Sequence, residues 1–269
     1  MSLHPSLTVI TLTCNSSSTI LDTIRSVNSQ VYYPIHHLFI DGCSSDNTLE
    51  LIRNHSSRPH TIATCVPSGI YPAMNHSLGL VSTDLFLFLN SDDFFFDDHV
   101  VSRVAACFLD NTIDAVYSDL IYVSRNQPSR LLRYWTNPPT FTKSTFKRGS
   151  CPPHPSFALR TRLLSLVGQF DTSYVLAADF DFMLRCLYVL KLSSIHLSVP
   201  SVYMRHGGAT SSGFSNIFKQ NREILSILSS HNMPVNPFVY VSCKCCIRLL
   251  QYYRAFVYSV FQLFKLTSS

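Results

Sequence analysis

The chain has 269 residues, 46% of them hydrophobic and only 14% charged, which excludes a disordered protein and leaves room for a sizeable core. The formal charge of +5 is unevenly placed: no acidic residue follows Glu223, while Lys244, Arg248, Arg254 and Lys265 do. Basic residues this few, without a stacking platform, argue against nucleic-acid binding, and those of the tail favour an acidic partner surface there. The nine cysteines are odd in number and lack paired spacing, and the amino terminus shows no basic, apolar and cleavage-site succession. Both features lead us to expect a reducing, cytoplasmic setting.

In chain order, Leu7 to Thr13 is β-branched and reads as a strand, followed by capping candidates Ser16 to Ser18 and helical spacing at Ile20, Ile24 and Val27. Leu38 to Ile40 is a short strand stopped by Asp41-Gly42, after which Ser44 to Asp46 can cap a second helix. Thr61 to Val66, Ile70 to Leu80 and Leu85 to Leu89 continue the alternation as strand, helix and strand. Asp97 to Leu109 is expected to be helical and Ala115 to Val123 a strand. Between Pro128 and Pro155 the pattern loosens into an acceptor-facing connection punctuated by paired prolines. Thr161 to Val167 and Ala178 to Val189 then look helical, and His196 to Met204 extended. Such alternation implies an α/β fold with a mainly parallel sheet and helices on both faces.

The most informative junction is Leu85-Phe-Leu-Phe-Leu89 running into Asn90-Ser-Asp-Asp93. A buried strand that ends in adjacent carboxylates sets them at the lip of the sheet, where α/β proteins bind ligands. Neighbouring carboxylates repel, and both ionise most readily beside a cation; oxygen ligands suit Mg²⁺ or Mn²⁺, which also hold substrate phosphates. Taken alone, the pair is equally an ordinary solvated acidic turn. Thr11 to Asn15, Asp41 and Asn90 to Asp93 all lie at strand ends that alternating βα units would gather on one edge. There Asp41 could accept hydrogen bonds from a base or ribose, although Asp-Gly after a strand is also a common turn.

The segments Val9 to Asn15, Phe39 to Thr48, Gly69 to Asn75 and Leu89 to Asp93 resemble family 2 glycosyltransferases of the GT-A fold, above all the bacterial branch that builds exopolysaccharides and lipopolysaccharides. The likeness spans about residues 7 to 210 in consistent order. It implies a Rossmann-like, mainly parallel sheet flanked by helices, a nucleotide-sugar donor, a divalent metal (Mg²⁺ or Mn²⁺) and inversion at the anomeric carbon. By this resemblance Thr11 and Asn15 line the nucleotide pocket, and Asp41 contacts the base. Asn90-Ser91-Asp92 is a variant of the Asp-x-Asp motif, with Asp92 the metal ligand, Asp93 a direct or second-sphere partner and Asn90 a ribose contact.

Inverting transfer also needs a carboxylate that takes the acceptor hydroxyl proton. Ala178-Asp179-Phe-Asp181-Phe-Met-Leu-Arg185 resembles the family's Glu-Asp-x-x-x-x-x-Arg helix, which places Asp179 as the base and Arg185 on the acceptor side. Asp181, two residues on, points elsewhere on a helix. His154, between Pro153 and Pro155, matches a histidine near the acceptor, and His206 to Ser211 resembles a Gly-Gly loop that closes over the donor diphosphate. Pro72, His76 and Ala178 stand where the family usually has Asp, Lys and Glu, so sugar selectivity cannot be carried over.

Residues 1–210 are therefore expected to form the transferase domain and 211–269 a helical tail. From Phe238 to Phe264 apolar residues recur at helical spacing, with basic residues interrupting any run that would span a bilayer. A basic amphipathic helix with aromatics suits the anionic inner surface of a plasma membrane, where lipid-linked glycan acceptors would be met; packing on the catalytic domain or another subunit is the alternative. Two other functions stay in view: a non-catalytic sugar-nucleotide or membrane-binding relative, motivated by Asn90 and Pro72, and a nucleotidyltransferase, for which residues 11 to 19 lack a basic, Gly-rich phosphate loop.

Overall fold

A computed structural model describes residues 4–65, 69–207 and 213–267. The first half follows the anticipated alternation. Strand β1 (Leu7–Thr13) is followed by helix α1 (Ile20–Asn28), β2 (Ile35–Asp41), α2 (Thr48–His55), β3 (His60–Thr64), α3 (Ile70–Leu78) and β4 (Leu85–Phe88). These four strands are parallel neighbours in the order β3-β2-β1-β4, with Thr13 opposite Asp41 and Ile10 opposite Phe88. Alternate residues of each strand feed different cores. Ile10, Leu38, Ile40, Phe86 and Phe88 pack with Tyr71, Met74 and Leu78 of α3. Leu7, Val9, Leu85 and Leu87 face the other layer, where Phe39 meets Ile20, Ile24 and Ile52 of α1 and α2.

Beyond β4 the sheet changes character. After the two-residue strand β5 (Phe94–Phe95) and α4 (Val100–Cys107) come β6 (Ala115–Val123), β7 (Leu131–Trp135), α5 (Lys143–Lys147) and β8 (Phe157–Arg160). Short α6 (Leu164–Val167) and α7 (Ala178–Leu184), which runs on into a π-helical turn over Arg185–Val189, precede β9 (Ser194–Arg205). β8 is antiparallel to both β4 and β6, β6 is parallel to β9, and β7 and β5 add antiparallel edges. The parallel sheet thus holds for the first four strands, whereas the second half is mixed. β7, α5 and β8 all arise inside or just after the stretch expected to be an irregular connection.

Two helices complete the chain, α8 (Phe214–Ser230) and α9 (Pro237–Thr267). Ile224, Ile227 and Leu228 of α8 and Tyr240 of α9 are buried in the same core as α3 and α7. Further along α9, Gln251 and Ala255 are buried, and Arg254 hydrogen-bonds to Thr136 just after β7. The tail is therefore folded onto the sheet-and-helix core of the preceding residues. Among the described residues no helix is long and apolar enough to cross a membrane. All nine cysteines are free thiols.

Candidate active site

The carboxyl ends of β1, β2 and β4 meet as the topology requires, and side-chain bonds tie their loops together. Asn15 takes a left-handed backbone, φ +50°, a conformation that asparagine tolerates better than most residues. Its Oδ1 accepts the Ser45 N–H at 2.9 Å, and its own N–H donates to Ser44 Oγ at 2.9 Å. Asp41 is fully buried and accepts the Ser44 N–H at 2.9 Å and the Ser44 hydroxyl at 2.6 Å. Ser16 and Ser91 share a hydroxyl–hydroxyl bond of 2.8 Å that links the β1 loop to the acidic turn after β4. Thr11 is not in this group: it is fully buried, with its hydroxyl 2.9 Å from His37 Nε2 inside the sheet. Strand alternation turns it toward the α1–α2 layer, so its side chain lines no pocket, contrary to the sequence expectation.

The two adjacent carboxylates after β4 have different surroundings. Asp93 is 1% exposed; Asn90 donates to its Oδ2 at 3.1 Å, and the Arg205 N–H donates to its Oδ1 at 3.0 Å. Burial, and then the charge of Asp92, hold its pKa well above the ordinary carboxylate value. Asp93 therefore ties Asn90 to the end of β9 and is not offered to a ligand. Asp92 is the accessible member, 24% exposed at its side chain and 3.3 Å from the guanidinium of the more exposed Arg125. Arg205, itself buried, braces the turn through the Asp92 carbonyl at 2.7 Å and through Asp22. Sequence reasoning missed Arg205 and Asp22, whose pairing joins residues far apart in the chain.

Among the described residues no three His, Cys, Asp or Glu side chains gather as a metal cage. One accessible carboxylate with a half-exposed arginine for a counterion still fits a Mg²⁺-like ion, which takes one or two protein carboxylates and completes its shell with substrate phosphates and water. Asp92 is the residue that would hold it.

Asp179 lies in the first turn of α7, where the helix dipole favours a negative charge. Its Oδ1 accepts the Tyr71 hydroxyl at 3.0 Å and the Phe180 N–H at 2.9 Å, while Oδ2 makes no hydrogen bond among the described residues. Burial raises the pKa of this carboxyl, and the Tyr71 bond works against that rise. Tyr71 reaches it from the start of α3, whose entry at Gly69 uses φ +114°, a backbone that glycine adopts freely. The segment Gly69 to Asn75 carries this signal in the sequence, but nothing there marks the tyrosine as the partner of a carboxylate 108 positions later.

Arg185 is not brought to the acceptor side. It stands four residues from Asp181 on the same helical face, pairs with it at 2.8 Å, and donates to the carbonyls of Val167 and Gln169. Asp181 also meets His231 Nε2 at 2.9 Å, so this group fastens α7 to the 167–169 loop and to the end of α8. Asn75 supports the same loop, exchanging two bonds of 2.9 and 2.8 Å with the Phe170 backbone. His154 is buried between Phe88, 4.8 Å away by ring centroids, and Phe170 at 5.6 Å. Burial pushes its pKa down to about 4, so it is a neutral packing ring beneath the site.

Burial raises the pKa of the Tyr122 phenol, near the end of β6; the guanidinium of Arg133 opposes the rise and the Asp93 carboxylate adds to it. Of the expected closing loop, His206 and Gly207 are exposed, while Gly208 to Ser211 lie outside the described residues.

The family described as Glycosyl transferase family 2 matches residues 8–165, more than half of the chain. A PGL/p-HBAD biosynthesis glycosyltransferase of Mycobacterium tuberculosis is 28% identical over 211 residues, covering 76% of this chain and 78% of that one. An uncharacterized glycosyltransferase of the same species is 28% identical over 191 residues, covering 70% and 71%. Among solved structures, S. aureus TarS in complex with UDP-GlcNAc superposes with a TM-score of 0.64 at 18% identity, over 88% of this chain and 71% of that one. The chain spans 39% of a longer TarS structure. The mannosyltransferase PcManGT from Pyrobaculum calidifontis, in complex with GDP-Man and Mn²⁺, gives a TM-score of 0.63 at 16% identity, over 96% and 75% of the two chains.

Proposed function

The chain belongs to glycosyl transferase family 2, and from that premise we propose that it moves a sugar from a nucleoside-diphosphate sugar to a glycan or lipid-linked acceptor hydroxyl, with inversion. The observation that carries this reading is the half-buried Asp179 in the first turn of α7, held by Tyr71 through one oxygen and without a hydrogen bond at the other among the described residues. In the proposed step the acceptor oxygen attacks the anomeric carbon, the bond to the donor phosphate oxygen breaks, and Asp179 Oδ2 takes the hydroxyl proton. Its raised pKa brings it closer to the working pH, which strengthens a general base. A divalent cation at Asp92, when bound, would offset the charge of the departing diphosphate. Asn15 and Asn90 would face the nucleoside, with the fully buried Asp41 holding Ser44 beside them; Mn²⁺ and GDP-Man in the mannosyltransferase complex and UDP-GlcNAc in the TarS complex support a nucleotide-sugar donor and a divalent metal.

The outward face of α9 supports action at a membrane surface. Phe238, Leu249, Phe256 and Phe261 are each at least 66% exposed, in a helix that carries no acidic residue. Such a face suits the interface of an anionic bilayer better than open water.

The test is a panel of UDP-, GDP- and dTDP-sugars with and without Mn²⁺ or Mg²⁺, assayed for binding and for release of nucleoside diphosphate. Metal-dependent release that vanishes in Asp92→Ala, with donor binding kept but turnover reduced by about 10²-fold or more in Asp179→Asn, is the expected result. Undiminished turnover in Asp179→Asn would remove the base assignment.

A further inference from the structure

Three cysteines gather where the first three strands end. β1, β2 and β3 pair as far as Thr13, Asp41 and Thr64; one step on, the Gly42 N–H donates to the Thr13 carbonyl at 2.8 Å and the Cys65 N–H to the Asp41 carbonyl at 2.9 Å. Cys14, Cys43 and Cys65 therefore leave adjacent strand ends, and the first two lie in the loops that fix Asn15 and Asp41. The Cys14 thiol donates to the Gly42 carbonyl at 3.3 Å, whereas the Cys43 thiol donates across to the carbonyl of Cys65 at 3.6 Å. Cys43 has a left-handed backbone, φ +58°, and in that conformation its sulfur rests against the end of β3. Cys14 and Cys43 are exposed and Cys65 is half-buried. Burial, and then the neighbouring Cys43, raise the pKa of the Cys65 thiol. Neighbouring strands lie about 4.8 Å apart and disulfides join Cα atoms about 4.4–6.8 Å apart, so thiols on adjacent strand ends are within bridging range.

We propose that Cys43 and Cys65 are a thiol-modification site for a small disulfide-class oxidant such as glutathione disulfide, and that the bridge they form closes the nucleoside end of the cleft. The effect on the donor rests on the placement of the nucleoside beside Asn15 made above; the bridge itself does not. In the first step the exposed Cys43 thiolate attacks one sulfur of the oxidant, which forms a mixed disulfide and releases one thiol. The Cys65 thiolate then attacks the Cys43 sulfur and expels the second thiol. Two protein thiols are thereby oxidised to one disulfide, and one small disulfide is reduced to two thiols that take up the two protons. The second step quickens as the pH rises, because more of Cys65 is then thiolate. Cys43 immediately precedes Ser44, whose N–H and hydroxyl hold Asp41 and whose oxygen receives the Asn15 N–H. Fixing the Cys43 sulfur on Cys65 draws this loop toward β3 and breaks its bond to Asn15.

Reduced protein is incubated with glutathione disulfide at pH 7 and at pH 9, its remaining thiols are alkylated, and its peptides are mapped by mass spectrometry. Affinity for UDP and GDP with Mn²⁺ is measured by calorimetry before oxidation, after it, and after dithiothreitol. We expect a Cys43–Cys65 linkage in the parent protein and in Cys14→Ser, formed faster at pH 9. Cys65→Ser should stop at a mixed disulfide on Cys43, and Cys43→Ser should give no linkage at Cys65. Nucleotide affinity should fall by about tenfold or more on oxidation, the equivalent of one lost hydrogen bond to the ligand or greater, and return with dithiothreitol. A linkage of Cys43 to Cys14, or oxidation that leaves both Cys43 and Cys65 alkylatable, overturns the proposal; so does a Cys43–Cys65 bridge with nucleotide affinity unchanged. If the reduced protein binds neither nucleotide while the bridge forms, the donor assignment fails and the modification site stands. The peptide map of the parent protein decides the linkage independently of whether each serine variant folds.

Discussion

Replacing Tyr71 by Phe removes one hydroxyl and almost nothing else, because the ring is 95% buried, its exposure being 5%, and stacks on Phe170 at 6.0 Å. That hydroxyl donates to Asp179 Oδ1 at 3.0 Å and stabilises the carboxylate over the acid. A hydrogen bond to a charged group is worth about 1.5–3 kcal/mol, which corresponds to roughly a ten- to hundredfold change in the ionisation constant of its acceptor. The sign follows from which form loses the bond. The carboxylate loses it, protonation becomes easier, and the acid limb of the pH–rate profile moves to higher pH. Below that limb, turnover of Tyr71→Phe should fall by roughly ten- to hundredfold, while well above it, where Asp179 is ionised in both proteins, the two rates should converge. The assay is nucleoside-diphosphate release against pH at saturating donor. A uniform loss at every pH, with the limb unmoved, would show that Tyr71 acts through packing or substrate contact and would remove it as the residue that tunes the base.

The remaining predictions concern the two helical fastenings. Arg185→Ala leaves the buried Asp181 without its closest cation and releases the 167–169 loop, so it should cost about 3 kcal/mol in thermal or urea unfolding, with the Michaelis constant for acceptor little changed in the folded fraction. A selective rise in that constant without loss of stability would restore Arg185 to the acceptor side. Leu249→Glu/Phe256→Glu, on the outward face of α9, should abolish flotation with phosphatidylglycerol vesicles while thermal stability and release of nucleoside diphosphate persist. Equal flotation of variant and parent would end the membrane-surface reading.

What was legible in the sequence was local. β1, β2 and β4 announce themselves through β-branched or apolar runs closed by polar residues, and α1 through Ile20, Ile24 and Val27, because side-chain periodicity and the strand-end break are properties of neighbouring residues. β7 and β8 were not legible. Leu131–Trp135 is half-buried throughout and becomes a strand only by pairing with β6, and Phe157–Arg160 is four residues long, inserted between β4 and β6. Both depend on partners distant in sequence, so no local pattern announces them. The candidate site divides along the same line. Asp92 and Asp179 are proposed from local motifs, whereas the burial of Thr11, the turning of Arg185 toward Asp181 and the locking of Asp93 by Arg205 follow from which face each side chain takes in the assembled fold.

The same division separates the tightly cross-linked strand ends from the lightly held Asp179. The donor-side groups at Asn15, Asp41 and Asn90 to Asp93 are cross-linked into the parallel strand ends and to Arg205, so altering one disturbs several partners. Asp179, by contrast, takes its hydrogen bonds from the Tyr71 hydroxyl of α3 and from the Phe180 N–H of its own helix. Substitutions at the strand-end loops are therefore expected to cost stability together with turnover, whereas Tyr71→Phe touches one bond of the proposed base and should leave the fold in place.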